Sequence, residues 1–212
     1  MDDSHDRAIR AQLYRAVTAA GQPPTPEVIE RLAVYVQELH RWSRRMSLTT
    51  LDPAGIVARL VRPSLALAAL PVYRASSAVA DLGSGGGVPG VPLQIIAPRP
   101  RLVLIEARHK RATFLRHTVR ACRLSGVEVI TGRAEAVVWP RERRVDLVVC
   151  RAVAPAPTVL PWCMGLVRVG GTVVITGGVE AAPPANLPAG WEGPAVATRG
   201  VGAPHLYRRC ST

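Results

Sequence analysis

The residues most suited to chemistry lie in one glycine-rich segment, VADLGSGGGVPG at positions 79–90. Such loops let a nucleotide approach the backbone closely, and they bind both nicotinamide dinucleotides and S-adenosylmethionine. A G-x-G-x-x-G match, typical of dinucleotide loops, begins only at Gly85, late relative to the preceding strand. The frame from Asp81 through Gly83 places an acid at the strand end, where it would repel a pyrophosphate. An acid there can orient the loop or, through water, the cationic methionine part of S-adenosylmethionine, so the segment favours that cofactor.

Two further acids follow the next two predicted strands. Glu106 ends the second strand, where a carboxylate can accept hydrogen bonds from both hydroxyls of a ribose. The pair Ala134-Glu135 follows the third strand, where an adenine ring would lie. Both positions are consistent with a nucleoside, and neither distinguishes the two cofactors. Two alternatives stay open: Glu106 as a surface acid at a strand end, and Glu135 as a helix-start glutamate favoured by the helix dipole.

These residues need a scaffold, and the chain begins with helical periodicity. Helices are predicted over residues 6–20 and 26–43, the second because its apolar positions recur at three- and four-residue steps. Asp52 followed by Pro53 signals the start of a third helix. Pro63 is expected to end or kink that helix, because proline lacks the N–H that a helix interior requires.

Further along the chain, short apolar runs alternate with helical stretches, of which residues 109–124 are the clearest. The runs AVADL, RLVLIEA, VEVITG, VDLVVC and TVVITG predict a parallel sheet with helices on both faces. Two late runs, AVATRG at 195–200 and PHLYRRC at 204–210, predict an antiparallel hairpin at the sheet edge, after the loop EAAPPANLPAG. The expected fold class is α/β: a Rossmann-like, mostly parallel twisted sheet at 75–212 with a small N-terminal helical cap at 1–74.

Charge and composition limit the function classes. The net charge is +12, from 27 lysines and arginines against 15 acids, which favours a polyanionic partner such as nucleic acid. A coding bias would explain the choice of arginine over lysine but not the excess of cations. The four cysteines are scattered, so we expect reduced thiols and no metal site. No apolar stretch of membrane-spanning length and no secretion signal are visible, so we expect a cytoplasmic protein without membrane contact.

Five motifs, in order along the chain, resemble one family. The segment DLGSGGGVPGVPL is similar to that family's glycine motif, HKRATFL to its K-R-x-x-F-L helix, GRAE to its G-R-A-E, and CRAVAP to its S-R-A-V-A-P. Upstream, RWSRRMSLTTLDP is similar to its W-N-x-x-x-N-L-T segment. The family is that of the bacterial 16S rRNA guanine-N7 methyltransferases called RsmG or GidB, and the resemblance covers roughly residues 30–178.

The resemblance implies a class I S-adenosylmethionine-dependent methyltransferase that methylates N7 of a guanine in the 530 loop of 16S rRNA, in the small ribosomal subunit. It implies S-adenosyl-L-methionine as the cofactor and, we expect, a monomer. The family's motifs imply catalytic-pocket roles for Arg133 and Arg151, and cofactor contacts at Gly83, Val88, Ala134, Glu135 and Arg151. The residues alone add Asp81, Gly85 and Glu106 to the cofactor site. For the arginines, pairing with Glu135 or Glu106 and capping of a strand end stay open as alternatives.

Several positions depart from the family pattern, and they cluster on the substrate side. Ser47 replaces an asparagine, Leu60 a histidine, Pro63 an aspartate and Pro204 an arginine. Two other hypotheses therefore remain: a family member with another RNA or a small molecule as substrate, and an RNA-binding protein that keeps the fold without catalysis. The aromatic candidates for stacking on a base, each with a core position as its alternative, are Trp42, Tyr35 and Trp162.

Overall fold

A computed structural model describes residues 3–137, 139–177, 186–196 and 204–211. In these residues seven strands form one sheet in the order β3-β2-β1-β4-β5-β7-β6. The first five strands of that order run parallel, and β7 is antiparallel to both of its neighbours. This topology confirms the predicted fold class. The strands are β1 (Ala78–Leu82), β2 (Arg101–Glu106), β3 (Val127–Thr131), β4 (Val145–Arg151), β5 (Val167–Thr176), β6 (Trp191–Val196) and β7 (His205–Arg209).

The C-terminal hairpin is present, but the predicted start of its first strand was wrong. The strand begins at Trp191, four residues before the expected run, while residues 197–200 of that run lie outside the described residues. The dipeptide Gly193-Pro194 lies inside this strand, although proline cannot donate a hydrogen bond to a neighbouring strand. It is tolerated because β6 is the edge strand and the pairing with β7 is irregular between Glu192 and Ala195. Of the predicted loop before it, residues 186–190 have no helix or strand, and 180–185 lie outside the described residues.

The helices follow the sequence pattern closely where capping residues mark their ends. The helix predicted at 26–43 has those bounds, and the Thr25 hydroxyl accepts a hydrogen bond from Val28 N at 3.3 Å. The helix predicted over 109–124 ends at Ala121, because Arg123 takes a left-handed backbone conformation with φ of 51°. The α-helices are α1 (Asp3–Ala19), α2 (Pro26–Ser43), α3 (Pro53–Ile56), α4 (Arg62–Ala66), α5 (Pro71–Ala75), α6 (Gly90–Ile96), α7 (His109–Ala121) and α8 (Ala156–Cys163).

Pro63 was expected to end or kink the third helix, and it does not end it. The chain passes from α3 into a π-helical segment, Val57–Val61, and continues as α4. A wider π turn is a common way for a helix to accommodate an irregular position. Pro63 has no N–H to donate to the carbonyl of Arg59 four residues before it, and that carbonyl instead accepts a hydrogen bond from outside the helix.

Two hydrophobic clusters cover the two faces of the sheet. One joins α1 and α2 to the sheet and α7, with Leu13 and Leu32 in the same cluster as Leu104 and Phe114. The other joins α8 to the opposite face. The N-terminal helices therefore share a core with the sheet, and a domain division at residue 74 stays a prediction. Among the described residues, no helix is both long and apolar enough to cross a membrane.

The four cysteines are free thiols. Cys122, Cys150 and Cys163 are buried, as expected, while Cys210 is partly exposed. Burial raises the pKa of the Cys122 thiol to about 12, so it stays protonated at neutral pH. The three buried thiols act as small core side chains.

Candidate active site

The glycine loop follows β1 at the carboxyl edge of the sheet. Gly83 has a φ of +71°, and a Cβ added there would lie 2.7 Å from Val153 Cγ2. The backbone N–H groups of Gly83 and Ser84 donate to the Ile105 carbonyl at 2.9 and 3.0 Å, which fixes the loop to the end of β2. Glycine at position 83 therefore allows both the turn and the close approach of the segment after β4.

Asp81 lies beneath this loop rather than in the cleft. Its side chain is fully buried, and Oδ2 accepts a hydrogen bond from Gly90 N at 2.9 Å. Oδ1 has no hydrogen-bond partner among the described residues. The pKa of Asp81 is raised to about 7, chiefly by burial and also by the negative charge of Glu106, while hydrogen bonds from Gly90 and Ser84 act in the opposite direction. Of the two roles expected for this acid, the contacts show the first, orientation of the loop.

Glu106 links the loop to the cleft. It ends β2, is 5% exposed, and uses Oε2 to accept from Gly85 N at 2.9 Å and Oε1 to accept from Arg108 N at 2.8 Å. Each carboxylate oxygen has two lone pairs, so each can accept one more hydrogen bond. Glu106 is thus held rigidly by backbone N–H groups and still has acceptor capacity for a ligand diol.

One cleft of about 580 Å³ brings together every residue of the predicted site except Asp81. It lies beyond the carboxyl ends of β1, β2 and β4, where the strand order reverses between β1 and β4. The predicted residues that line it are Gly83, Gly85, Val88, Glu106, Arg133, Ala134, Glu135 and Arg151. Strands far apart in the sequence thus converge on one site.

Arg133 and Glu135 form an exposed pair beside the short turn after β3. Arg133 Nη1 lies 3.3 Å from Glu135 Oε1, and the two side chains are 77% and 44% exposed. This is the pairing that the sequence left open for Arg133. An ion pair so exposed holds its partners weakly, so both side chains are available to a ligand that enters the cleft.

Arg151, the last residue of β4, is held firmly by contrast. Its Nη2 donates to the Arg59 carbonyl at 2.8 Å, which is the carbonyl that Pro63 cannot pair. Gly177 leaves room for its stem, since a Cβ there would lie 2.9 Å from Arg151 Cγ. Desolvation by burial lowers the pKa of Arg151, which nevertheless stays charged. The next residue, Ala152, has a φ of 51°, a strained conformation for a non-glycine residue and one often found at functional sites.

The N-terminal helices contribute contacts that the sequence did not reveal. The Tyr35 hydroxyl donates to the Gly86 carbonyl at 2.8 Å, and a Cβ at Gly86 would lie 3.0 Å from Leu39 Cδ1. Tyr35 is fully buried, so its alternative as a core residue is the one observed. Arg111 Nη2 donates to the Ser47 carbonyl at 2.8 Å. Such contacts join positions far apart in the chain, and no local pattern encodes them.

Of the other aromatic candidates, Trp162 lines the cleft, whereas Trp42 lines a separate cavity. Among the positions that depart from the family pattern, Leu60 also lines the cleft. Arg111, Thr49 and Val153, which were not predicted, line it as well. In the part of the chain that the structure describes, no three histidine, cysteine or acidic side chains are arranged to hold a metal ion.

A family model described as GidB, rRNA small subunit methyltransferase G, matches residues 28–184. The chain belongs to this family. It is 37% identical over 176 residues to the Ribosomal RNA small subunit methyltransferase G of Rubrobacter xylanophilus, covering 82% of this chain and 67% of that one. It is 39% identical over 188 residues to the protein of the same name from Nitratidesulfovibrio vulgaris, covering 86% and 84%.

Solved structures share the fold of this GidB-family chain at low identity. A putative O-methyltransferase from Klebsiella pneumoniae gives a TM-score of 0.59 at 16% identity, covering 94% of this chain and 96% of that one. A structure described as MtNAS in complex with MTA and tNA gives 0.59 at 17%, covering 84% and 70%. The fold and the family together establish an S-adenosylmethionine-dependent methyltransferase.

The residues of the cleft fit S-adenosylmethionine. Gly83 and Gly85 have positive φ angles and leave open backbone where a side chain would intrude, and Glu106 keeps acceptor lone pairs for a ribose. An acid at the position of Glu106 also suits the ribose of a dinucleotide, so the choice of S-adenosylmethionine rests on the family.

Proposed function

We propose that this protein transfers a methyl group from S-adenosylmethionine to N7 of a guanine in the 530 loop of 16S rRNA. The observation that carries the proposal is the convergence in one cleft of Glu106, an acceptor for a nucleoside, with Arg133 and Arg151, which suit RNA. Two named relatives of this chain are ribosomal RNA small subunit methyltransferases, which supports an RNA of the small subunit as the substrate.

In this proposal the cofactor contacts fall on Gly83, Gly85, Val88, Glu106, Ala134, Glu135 and Arg151. Asp81 acts on the cofactor through the loop that it orients. When bound, S-adenosylmethionine supplies an electrophilic methyl group on a sulfonium ion. The glycine loop and Glu106 then have to fix the nucleoside half, so that the methyl group faces the part of the cleft beside Arg151.

The chemistry of guanine N7 matches the side chains that line the cleft. N7 has a free lone pair and loses no proton on methylation, so the reaction needs positioning more than a general base. The described residues that line the cleft include no histidine or lysine, and their acids are Glu106 and Glu135, both already hydrogen-bonded. Arg151, fixed by the Arg59 carbonyl, can donate to O6 of the guanine or to a phosphate, which positions the base and leaves the N7 lone pair free to attack.

A methyl-transfer assay on small ribosomal subunits that lack the modification tests the proposal. With S-adenosylmethionine labelled in the methyl group, we expect label in 16S rRNA and its recovery as 7-methylguanosine from the 530 loop. Arg151→Ala should lower kcat/KM for subunits at least tenfold, whereas Arg120→Ala, an exposed change on α7 outside the cleft, should leave it unchanged. Label in another nucleoside would support an altered substrate, and RNA binding without transfer would support a non-catalytic role.

A second test concerns the cofactor alone. Calorimetric titration should show binding of S-adenosylhomocysteine and none of NAD. Glu106→Gln should weaken that binding at least tenfold, because the amide would turn an N–H toward one of the two backbone donors that Glu106 now accepts. Binding of NAD by the wild type would contradict the assignment of the cleft. So would an unchanged affinity of Glu106→Gln for S-adenosylhomocysteine.

We also propose that the protein works in the cytoplasm, where small ribosomal subunits are found, and that it acts as a monomer. Sedimentation equilibrium of the purified protein checks the oligomeric state, and a stable dimer at micromolar concentration would contradict it.

A further inference from the structure

A second cavity, of about 440 Å³, lies between the end of α2 and the first turn of α7. It shares no lining residue with the active-site cleft. The described residues that line it are Arg41, Trp42, Arg45, Met46, Lys110 and Thr113. Half of these side chains are cationic and none is acidic, while two offer apolar surface.

The charge of this basic cavity is only partly neutralised. Arg41 Nη2 pairs with Glu38 Oε2 at 2.6 Å. Arg45 and Lys110 are exposed and form no ion pair with any residue that the structure describes. Lys110 is also the single lysine among the 27 lysines and arginines of the chain. A lysine ammonium is a compact point charge that suits a phosphate.

Trp42 gives the basic cavity a fixed aromatic surface. Its indole Nε1 donates to Glu38 Oε2 at 3.2 Å, and its ring lies edge-on to Phe114 with a centroid distance of 5.7 Å. The same Glu38 oxygen is 2.6 Å from His117 Nε2. Although burial disfavours the charged form of Glu38, hydrogen bonds from Arg41 and His117 lower its pKa, so the carboxylate stays charged. One carboxylate thus orients both Trp42 and Arg41.

The basic cavity and the active-site cleft are neighbours. Lys110 lines the cavity and Arg111, the next residue, lines the cleft. In the segment after α2, Met46 lines the cavity and Leu48 lines the cleft. The hydrogen bond from Arg111 to the Ser47 carbonyl joins these two walls. The two sites therefore lie side by side, on either side of this hydrogen bond.

We propose that the basic cavity binds a nucleotide next to the methylated guanine on the same RNA strand, with its base against Trp42 and its phosphate between Arg45 and Lys110. This rests on the proposed function, since it concerns the same substrate. Single-stranded RNA is recognised by aromatic stacking combined with cations along the backbone, and the cavity supplies both. Its lack of acidic lining matches the overall charge of +12.

Alanine variants test the cations of the basic cavity. Lys110→Ala and Arg45→Ala should each raise KM for unmodified subunits about tenfold, with kcat and S-adenosylhomocysteine affinity unchanged. Each should also make the negative slope of log K for subunit binding against log salt shallower by about 0.7, the loss of one phosphate contact. Arg120→Ala, a matched control at the other end of α7, should change neither quantity. Wild-type KM and salt slope in both cavity variants would overturn the proposal.

The single lysine permits a direct test of position. An amine-reactive photo-cross-linker attached to the wild-type protein should cross-link through Lys110 to 16S rRNA within a few nucleotides of the target guanine. The Lys110→Ala variant identifies any product that forms through the amino terminus. Cross-links to a ribosomal protein or to a distant rRNA region would overturn the proposal while methyl transfer by the wild type stood. Failure of the wild type to bind subunits or methylate their RNA would overturn the proposed function and, with it, this site.

Discussion

Replacement of the buried acid beneath the glycine loop gives a strong test of the site's electrostatics. Asp81 is fully buried with one oxygen unpaired among the described residues, and its pKa is raised to about 7. The folded protein therefore binds a proton there more tightly than the unfolded chain between about pH 4 and 7. In that window, raising the pH favours unfolding, so stability from this group is present at low pH and lost as pH rises through 7. Asp81→Asn removes that dependence.

The size of the effect follows from the shift. A rise from 3.8 to about 7 corresponds to about 4 kcal/mol of linked free energy across the whole window. Between pH 5 and 8 alone, about 3 kcal/mol of it is lost. In Asp81→Asn the amide oxygen can still accept the hydrogen bond from Gly90 N. The amide NH₂ takes the place of the unpaired oxygen, and burying it without a partner lowers the free energy of unfolding by an amount that does not change with pH. The diagnostic quantity is therefore the change with pH of the difference between wild type and variant.

Urea unfolding at pH 5 and pH 8 measures this quantity. The free energy of unfolding of the wild type, relative to that of Asp81→Asn, should fall by about 3 kcal/mol from pH 5 to pH 8. Asp146→Asn is the control. Burial raises the pKa of Asp146, but hydrogen bonds from Arg168, Ala78 and Ser77 lower it by more. The stability that the Asp146 carboxylate contributes is therefore lost only in more acidic solution, below this pH range. Equal differences at the two pH values for Asp81→Asn would refute the raised pKa.

Three further substitutions have expected outcomes. Tyr35→Phe removes the hydrogen bond to the Gly86 carbonyl, so urea unfolding should show a loss of about 1 kcal/mol in the free energy of unfolding. Calorimetry should show weaker S-adenosylhomocysteine binding. An unchanged affinity would contradict an effect of Tyr35 on the glycine loop. Gly83→Ala forces a Cβ to 2.7 Å from Val153 Cγ2 and should weaken that binding at least tenfold, so wild-type affinity would argue against a close approach there. Arg123→Gly replaces a side chain held at a φ of 51° after α7 and should stabilise the protein by about 0.5–1 kcal/mol, which would raise the melting temperature. An unchanged melting temperature would disprove this gain.

The sequence predicted the parts of the fold that local patterns encode. Thr25 and Pro26 marked the start of α2, and buried apolar runs marked the five parallel strands. It failed where long-range pairing overrides a local signal. The start of β6 at Trp191 was missed, because pairing with β7 extends this edge strand across Gly193-Pro194, where a missing N–H costs little.

The same contrast holds for the site. The spacing of Asp81, Gly83 and Glu106 depends on strand ends and could be read along the chain, because parallel strands present their carboxyl ends at one edge. The hydrogen bond from Arg151 to the Arg59 carbonyl could not be predicted from the sequence. It joins residues 92 positions apart, and its acceptor is a backbone carbonyl that every residue possesses. Pro63 looked like a loss on the substrate side, whereas in three dimensions it leaves that carbonyl without its usual helical partner.

Helix α2 has a consequence that goes beyond packing. Tyr35 and Leu39 contact the glycine loop, and Trp42, further along the same helix, lines the basic cavity. If occupation of the glycine loop stabilises α2 and so favours binding at the basic cavity, binding at the cavity must favour occupation of the loop by the same free energy. If RNA binds the basic cavity as proposed and the occupied loop stabilises α2, methyl donor and RNA would each raise the affinity of the other by the same factor.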